Sequence, residues 1–359
     1  MKFWRVVAAG IRMVAAVTAL SRLARAARRR PPIRTARSEQ PSISVVVPAR
    51  DEAARLGPLL EAIVGAPGVG EVLVVDDEST DGTADVARRA GGIVVPGRPM
   101  PSGWVGKSWA LHQGLNAACG DWVVALDADT RPDPCLPVAL VARARADGLD
   151  LLTVAARFEC PTAPLQWLHP ALLTTLLYRA APPGAVAAGA VHRRMGNGQC
   201  LAFRRSVLVD AGGFATVGHH TVEDVALVRG LATAGFAVAF LDASSLLRVR
   251  MYESAREAWS GWGRSLSLPG VDLWLRRAVD VTVVAIGQVA PLLRVVARRA
   301  DVLDVVLVTV RLGTLAGTST AYERRGPAYW LSPLADPLAL LALVRGVLAR
   351  NQRWRGRHY

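Results

Sequence analysis

The feature that most constrains this chain is a regular alternation of short β-branched segments with helical stretches between residues 43 and 241. The segments carry apolar side chains without polar alternation, which is typical of strands that helices cover on both faces. The sequence therefore predicts an α/β fold, Rossmann-like, with a mostly parallel sheet and flanking helices. Ligands are expected at the carboxyl ends of the strands. The predicted strands cover residues 43–47, 72–75, 93–95, 122–126, 151–154 and 237–241.

The composition changes on both sides of this region, which predicts three parts. Residues 1–40 combine an apolar stretch with a basic linker, and we expect an amphipathic, membrane-associated helix there, with a transmembrane helix as the alternative. Residues 41–250 form the expected catalytic domain. Residues 251–359 contain three apolar segments and a basic tail, and are expected to form interfacial and transmembrane helices. Each apolar segment, at about 278–296, 302–318 and 331–348, also holds acidic and basic residues.

The formal net charge of +14 comes from arginines that cluster beside the apolar segments. Basic runs next to hydrophobic segments suit the anionic surface of a membrane. Nucleic acid is not an expected partner, because the sequence has no aromatic-interleaved basic motif, zinc knuckle or recognition-helix pattern. The four cysteines form no Cys-x-x-Cys pair, which argues against a zinc site or a disulfide framework and fits a reduced cytosolic setting.

Two polar motifs follow the first two predicted strands. Residues 45–52 read Val-Val-Val-Pro-Ala-Arg-Asp-Glu, and residues 74–83 place two adjacent carboxylates at a strand end. Capping of the next helix would explain one of these carboxylates but not both. Because the imide and ribose of a uridine-type nucleotide are hydrogen-bond donors, paired acceptor carboxylates predict a nucleotide site. The residues expected to bind the donor here are Pro48, Ala49, Arg50, Glu52, Asp76 and Asp77.

The third motif, Leu-Asp-Ala-Asp at residues 126–129, follows the fourth predicted strand. Asp127 and Asp129 project to the same side of an extended chain, so both can reach a Mg²⁺ or Mn²⁺ ion that bridges two phosphates. A polar turn before Pro132 is the alternative. Lys107 lies in a Gly-Trp-Val-Gly-Lys sequence, and Lys2 is the only other lysine of this Arg-rich chain. This near-uniqueness favours a point-charge contact with donor phosphate over chance retention.

The fourth motif begins with Gly-Asn-Gly-Gln at residues 196–199 and leads to His-His-Thr-Val-Glu-Asp at residues 219–224. Inverting transfer needs a carboxylate to take the proton of the acceptor hydroxyl, and Asp224 and Glu223 are the candidates. The structural alternative is a helix capping box, because Thr221-x-x-Asp224 has the required spacing. The two histidines are either solvated or contribute to metal or acceptor binding.

Together, the four ordered motifs resemble those of the GT-A-fold family 2 glycosyltransferases over about residues 42–247. The Gly-Trp-x-Gly-Lys motif, together with Trp-Arg-Gly-Arg at residues 354–357, is more narrowly similar to the hopanoid- and carotenoid-associated membrane glycosyltransferases. The resemblance implies nucleotide binding by Asp76 and Asp77, metal and diphosphate binding by Asp127 and Asp129, phosphate contact by Lys107 and proton abstraction by Asp224.

Two features depart from the family pattern. Glu78 stands where the family usually has glycine, and the Gln-x-x-Arg-Trp motif of processive polysaccharide synthases is missing, which favours a single transfer. Trp262 and Arg264 occupy roughly the region of that motif. We expect them on the acceptor side together with Gly198 and Gln199, with interfacial anchoring of the tryptophan as the alternative.

The sequence thus predicts an inverting, metal-dependent glycosyltransferase that moves a sugar from a nucleotide-diphosphate donor to a membrane lipid-like acceptor. A UDP-sugar is the expected donor. The enzymatic alternative is a polyprenyl-phosphate sugar transferase, and the non-enzymatic one is a degenerate membrane nucleotide-sugar-binding protein. We expect the chain at the cell membrane, with its catalytic domain facing the cytoplasm.

Overall fold

The computed structural model describes residues 2–24, 28–35, 42–180, 182–185 and 190–349, and the backbone of residues 353–354 and 357–358. For the helical residues 2–6, 8 and 264, the structure describes the backbone only. The chain divides into two compact units. The sheet unit contains residues 30–158 and 190–251, and the helical unit contains residues 1–29, 159–189 and 252–359.

The sheet unit is built on a seven-stranded sheet with the strand order β3-β2-β1-β4-β8-β6-β9. Its strands are β1 (Ile43–Ala49), β2 (Val69–Asp76), β3 (Ile93–Pro96), β4 (Trp122–Leu126), β6 (Leu151–Ala155), β8 (Cys200–Arg204) and β9 (Val238–Asp242). Four neighbouring pairs are parallel, whereas β8 runs antiparallel to both β4 and β6. The predicted, mostly parallel sheet is confirmed. Strand β8 was not predicted, because its short apolar run follows directly on the Gly-Asn-Gly sequence that reads as a loop.

The other elements of the sheet unit connect these strands. A small second sheet pairs three short strands, β5 (Thr130–Pro132), β7 (Arg157–Phe158) and β10 (Leu247–Val249), in the order β5-β10-β7. The helices are α2 (Ala53–Ile63), α3 (Thr83–Arg89), α4 (Gly106–Ala117), α5 (Leu136–Ala146), α7 (Arg205–Asp210) and α8 (Glu223–Thr233).

Alternate side chains of the central strands pack into two separate apolar layers, one on each face of the sheet. Val45 and Val47 of β1 join a buried cluster that includes Leu60 of α2. Val46, between them, joins a second cluster with Leu111 and other residues of α4. Because successive strand side chains point to opposite faces, both faces of β1 are covered. This double burial explains the unbroken apolar runs and leaves the strand ends as the place for polar side chains.

The helical unit consists of helices from three parts of the chain. They are α1 (Lys2–Leu23), α6 (Ala163–Leu177), α9 (Ala255–Ser265), α10 (Trp274–Val284), α11 (Ala290–Val296), α12 (Val302–Gly317), α13 (Pro327–Trp330) and α14 (Asp336–Leu348). A π-helical turn, Ala285–Val289, joins α10 to α11. Among the described residues, one continuous helix, Trp274–Val296, has the length and apolar composition needed to cross a membrane. At the chain end, β11 (Arg353–Trp354) pairs with β12 (Arg357–His358), and the other residues of the Arg-rich tail lie outside the described residues.

The composition placed residues 159–189 inside the catalytic domain 41–250, whereas the structure groups them with the helical unit. The physical reason is α6, which buries side chains on all sides of the helix, such as the consecutive residues Pro170, Ala171 and Leu172. Such a helix needs apolar partners around its whole circumference. It finds them in α9, α13 and α14.

The charged residues that interrupt the apolar C-terminal segments are paired inside the helical unit. The guanidinium of Arg311 donates to both carboxylate oxygens of Asp336 at 2.8 Å, and the two side chains are 3% and 0% exposed. Gln288 of the π-helical turn also donates to Asp336, at 2.8 Å. Charges that would be costly in an apolar setting are thereby satisfied internally. The remaining partners are Asp280 with Arg22 and Arg179, Asp304 with Arg12 and Arg294, and Arg345 over the ring of Trp259.

We predict that Arg311→Met destabilises the helical unit by about 3 to 5 kcal/mol, because it leaves the buried Asp336 carboxylate without its cation. The double variant Arg311→Met with Asp336→Leu removes both charges and should recover most of this loss. Thermal unfolding in detergent micelles measures both effects, with the exposed Arg324→Met as the matched control. Equal losses in the single and double variants would contradict the pairing.

Candidate active site

The first part of the site lies where β1 and β2 end side by side. Ala49 pairs in register with Asp76, and the backbone N–H of Asp77 donates to the Ala49 carbonyl at 2.8 Å. Arg50 donates to the Asp77 carbonyl at 3.0 Å and lies 3.6 Å from its carboxylate, which is almost fully buried. The first and second sequence motifs are thus brought together at one edge of the sheet.

Neither Asp76 nor Asp77 caps α3, whose N-cap is Gly82. Asp76 instead accepts from the backbone of Ser79 at 3.2 Å, which closes a turn after the strand. Helix capping therefore does not account for the paired carboxylates. Glu78 in this turn has a φ of 58°, in the left-handed region that favours glycine. Glu78 therefore has a strained backbone at the position where the family that the sequence resembles usually has glycine.

Backbone amides and short polar side chains fasten the loop after β1 to the loop after β2. Asp51 accepts from the backbone of Thr80 at 2.8 Å, and the backbone of Glu52 donates to Thr83 at 2.9 Å. The Glu52 side chain lies 3.9 Å from Arg55. Pro48 and Ala49 are the last residues of β1 and pair in register with Val75 and Asp76 of β2.

The centre of the site is the ammonium group of Lys107 in the first turn of α4. It lies 2.8 and 2.9 Å from the two Asp127 carboxylate oxygens, 3.1 Å from Glu223 Oε1 and 3.2 Å from the Gly198 carbonyl. Burial alone would lower the pKa of Lys107, but the charges of Asp127 and Glu223 outweigh this effect. The pKa of Lys107 is therefore higher than that of an ordinary lysine. Lys107 therefore stays protonated and joins the third and fourth motifs.

Asp127 and Asp129 follow β4, as the sequence predicts, but residues 127–130 form the polar turn that was the alternative rather than an extended chain, because the Thr130 backbone donates to the Asp127 carbonyl at 3.1 Å. Burial raises the pKa of Asp127 to about 6 against the lowering effect of Lys107, and burial next to Glu52 raises the pKa of Asp129. The buried Oδ1 of Asp129 has no hydrogen-bond partner, so this oxygen is available to a cation. In the part of the chain that the structure describes, no group of three or more His, Cys, Asp or Glu side chains is arranged to hold a metal ion. A cation here would need further ligands from a substrate, as Mg²⁺ takes from phosphates.

Asp224 and Glu223 begin α8, and the capping alternative is not formed there. The N-cap is Val222, with no side-chain cap. Asp224 instead accepts from the Gly198 backbone at 2.7 Å and from the Val225 backbone at 2.8 Å. Burial and the neighbouring Glu223 charge raise the pKa of Asp224 to about 6. A carboxylate with this pKa is ionised at neutral pH and suited to accept a proton.

Gly198 and Gln199 immediately precede β8, and the backbone of Gly198 contacts both Lys107 and Asp224. A Cβ on Gly198 would stand 2.9 Å from the Lys107 Nζ and 3.1 Å from Glu223 Oε1, so a larger residue would displace these two groups. Asn197, which the sequence did not single out, holds the segment in place. Its side chain donates to the Val154 carbonyl and to Gln199, at 2.8 and 3.1 Å. The only sequence signal for this role is its place between two glycines.

The other two residues expected on the acceptor side, Trp262 and Arg264, belong to the helical unit, on α9. The Trp262 ring packs against His169 with 4.4 Å between ring centroids, and His169 also contacts the Tyr322 hydroxyl at 2.9 Å. The side chain of Arg264 lies outside the described residues. The acceptor-side role of both residues stays a prediction.

Residues 44–210 match the protein family described as Glycosyl transferase family 2. Over 89 residues, 24% of each chain, the sequence is 42% identical to the 4,4'-diaponeurosporenoate glycosyltransferase of Staphylococcus aureus strain bovine RF122 / ET3-1. It is 40% identical over the same length to the protein of that name from strain USA300. The chain thus matches about a quarter of the length of these curated relatives.

A solved structure shares the fold over nearly its whole length. It is the mannosyltransferase PcManGT from Pyrobaculum calidifontis, solved in complex with GDP-Man and Mn²⁺. The TM-score is 0.58 at 17% sequence identity, covering 96% of this chain and 98% of that one. The predicted GT-A architecture and the resemblance to family 2 are confirmed by these comparisons.

The raised pKa of Asp224 has a testable consequence for stability. Its folded-state pKa of about 6 lies above that of an unfolded aspartate, about 4, so the native protein loses stability as the pH rises through 6. Asparagine does not titrate. We therefore expect the ligand-free Asp224→Asn variant to gain about 1 to 3 kcal/mol relative to the parent at neutral pH, and to lose this advantage near pH 4.

Denaturant unfolding of both proteins between about pH 4 and pH 8 measures this difference. Asp210→Asn, at an exposed position of α7, is the matched control. A pH-independent difference for Asp224→Asn would show that burial does not raise the pKa of Asp224 in the folded protein.

Proposed function

We propose that this chain, whose residues 44–210 match the protein family described as Glycosyl transferase family 2, is an inverting, metal-dependent enzyme that transfers one sugar from a nucleotide-diphosphate donor to a membrane lipid-like acceptor. The observation that carries this proposal is the convergence of the third and fourth motifs on Lys107, which lies within 3.1 Å of both Asp127 and Glu223. A structural salt bridge would need only one of these carboxylates. The donor is proposed to be a UDP-sugar, since Asp76 and Asp77 offer acceptors for its base and ribose.

The proposed cofactor is Mg²⁺ or Mn²⁺, held by Asp129 and Asp127 together with the donor diphosphate. The partnerless Oδ1 of Asp129 supports this assignment. PcManGT, which shares the fold, was solved with GDP-Man and Mn²⁺. When bound, the cation would neutralise the charge that develops on the departing diphosphate. Lys107 would add a second positive charge beside Asp127, so its predicted contact with phosphate remains part of the proposal.

In the proposed reaction, the hydroxyl oxygen of the acceptor attacks the anomeric carbon of the sugar while the bond to the diphosphate breaks. The hydroxyl proton passes to Asp224, which a pKa of about 6 keeps ionised at neutral pH. Attack from the side opposite the leaving group inverts the configuration. Glu223 is the second candidate base, but its contact with Lys107 favours a role in holding the site together.

The lipid-like acceptor is supported by the helical unit and by the name of the matched relatives, 4,4'-diaponeurosporenoate glycosyltransferase. All but two of the large hydrophobic side chains that the described residues expose belong to the helical unit, the exceptions being Ile93 and Val209. Exposed apolar surface on this scale marks an interaction with protein or membrane. We propose the cell membrane, with the catalytic domain on the cytoplasmic side where nucleotide sugars are made.

Asp224→Asn is expected to lower kcat for transfer to a hydroxyl acceptor by about 10² to 10⁴-fold, because the general base is lost. The assay supplies UDP-glucose, UDP-N-acetylglucosamine or GDP-mannose with a lipid extract of the source cells, and measures nucleoside diphosphate release and glycolipid mass. Asp210→Asn again serves as the matched control.

Two other results of this assay would favour one of the alternative functions. Normal turnover by Asp224→Asn would contradict the general-base mechanism and favour a polyprenyl-phosphate acceptor, whose ionised oxygen needs no base. Donor binding without any turnover by the unaltered protein would instead favour the nucleotide-sugar-binding alternative.

Removing exposed apolar side chains from the helical unit should weaken membrane binding. Trp274 and Leu275 are each 66% exposed, and Trp274→Gln with Leu275→Gln is expected to reduce binding to phosphatidylglycerol and phosphatidylcholine vesicles at least about tenfold. Vesicle flotation measures the bound fraction. The matched control, Ile93→Gln with Val209→Gln, removes exposed apolar side chains from the sheet unit. An equal loss in both variants would contradict a membrane-binding role specific to the helical unit.

A further inference from the structure

Apart from its lysine, the Gly-Trp-Val-Gly-Lys motif makes a second contact with residues 218–224, the acidic segment that ends in Glu223 and Asp224. The indole of Trp104 lies against Gly218, where a Cβ would stand 2.8 Å from two ring carbons. Gly218 has φ −54° and ψ −31°, a helical conformation that any residue adopts. The backbone conformation therefore does not require glycine at this position. Glycine is favoured because the Trp104 ring occupies the space that a side chain would need.

Trp104 is itself held from the side of α4. Its ring meets Trp109 and His112 at centroid distances of 5.1 Å each, and Trp109 stacks on His112 at 5.6 Å. The indole N–H of Trp109 donates to the Arg98 carbonyl at 2.8 Å, which fixes that ring. The Trp104 ring is thus held in place by side chains of α4 and packs closely against Gly218.

A backbone hydrogen bond reinforces the contact. The N–H of Val105 donates to the Gly218 carbonyl at 2.7 Å. Two residues further along, Lys107 reaches Asp127 and Glu223. Residues 104–107 therefore touch the acidic segment at both of its ends, at Gly218 and at Glu223, and join it to the strand end that carries Asp127.

We propose that Trp104 is a positioning residue, whose contact with Gly218 sets the place of Glu223 and Asp224 relative to Asp127. The proposal rests on the proposed function, because it assigns Trp104 to the geometry of that same site. Catalysis is sensitive to such placement, since a shift of about 1 Å in a reacting group can cost about 10²-fold in rate. A tryptophan that merely filled space would affect folding but not the turnover of folded molecules.

The test introduces a methyl group at the contact and then makes room for it. Gly218→Ala is expected to lower kcat by about 10- to 100-fold while the KM for the nucleotide sugar changes less than about threefold. Trp104→Phe presents a smaller ring, and the double variant Trp104→Phe with Gly218→Ala should regain at least about fivefold of the lost kcat. Gly230→Ala is the matched control, because a Cβ at this position of α8 meets no atom within 4 Å.

Amide hydrogen exchange gives a readout that does not depend on activity. Gly218→Ala should speed exchange at Val105 and across residues 219–224, whereas Gly230→Ala should not. If the unaltered protein turns over none of the nucleotide sugars, the proposed function fails while the exchange measurement still tests the contact. Unchanged kcat and exchange in Gly218→Ala, or early melting with normal turnover per folded molecule, would overturn the positioning role.

Discussion

The ion pairs of Lys107 are the interaction on which the rest of the site depends. Asp127, Glu223 and Asp224 come from two distant parts of the sequence, and their carboxylates would repel one another in a buried site without a cation between them. Lys107 supplies that cation and contacts Asp127 and Glu223 directly. The arrangement also favours glycine at position 198, since a Cβ there would stand 2.9 Å from the ammonium nitrogen and push it from its place between the carboxylates. One charge on α4 thereby ties β4, the loop before β8 and the start of α8 into a single acidic centre.

The two units of the chain distribute polarity in opposite ways. In the sheet unit, apolar side chains fill two layers around the strands and the charged groups gather at the strand ends. In the helical unit, charged pairs such as Arg311 with Asp336 are buried, while large apolar side chains are exposed. Burying paired charges contributes little to stability in water, and exposing apolar surface costs free energy there. Both features become favourable if lipid surrounds the helices. We therefore propose that the helical unit is the part of the chain that contacts the membrane.

Much of the sheet and of its polar edge could be predicted from the sequence, because both depend on local patterns. Apolar runs of strand length predicted six strands correctly, and Asp77 and Asp127 directly follow two of them, as expected. Strand β8 was missed because its five residues give no periodic signal and follow two glycines. The partners of Lys107 could not be predicted either, since they depend on how α4 and α8 pack rather than on spacing along the chain. The same holds for the pairing of Asp336 with Arg311 and for the contact of Trp104 with Gly218, which join residues with no shared local pattern.

We propose that Asp127 and Asp129 form a cation site that the donor diphosphate completes. Anomalous X-ray diffraction from crystals of the protein with Mn²⁺ and UDP tests it most directly, because the manganese signal locates the ion without reference to the protein. The proposed site predicts one strong peak within coordination distance of the Asp129 carboxylate and of the UDP phosphates, about 2.0 to 2.3 Å away. A peak elsewhere, or bound UDP with no manganese beside Asp127 and Asp129, would contradict it.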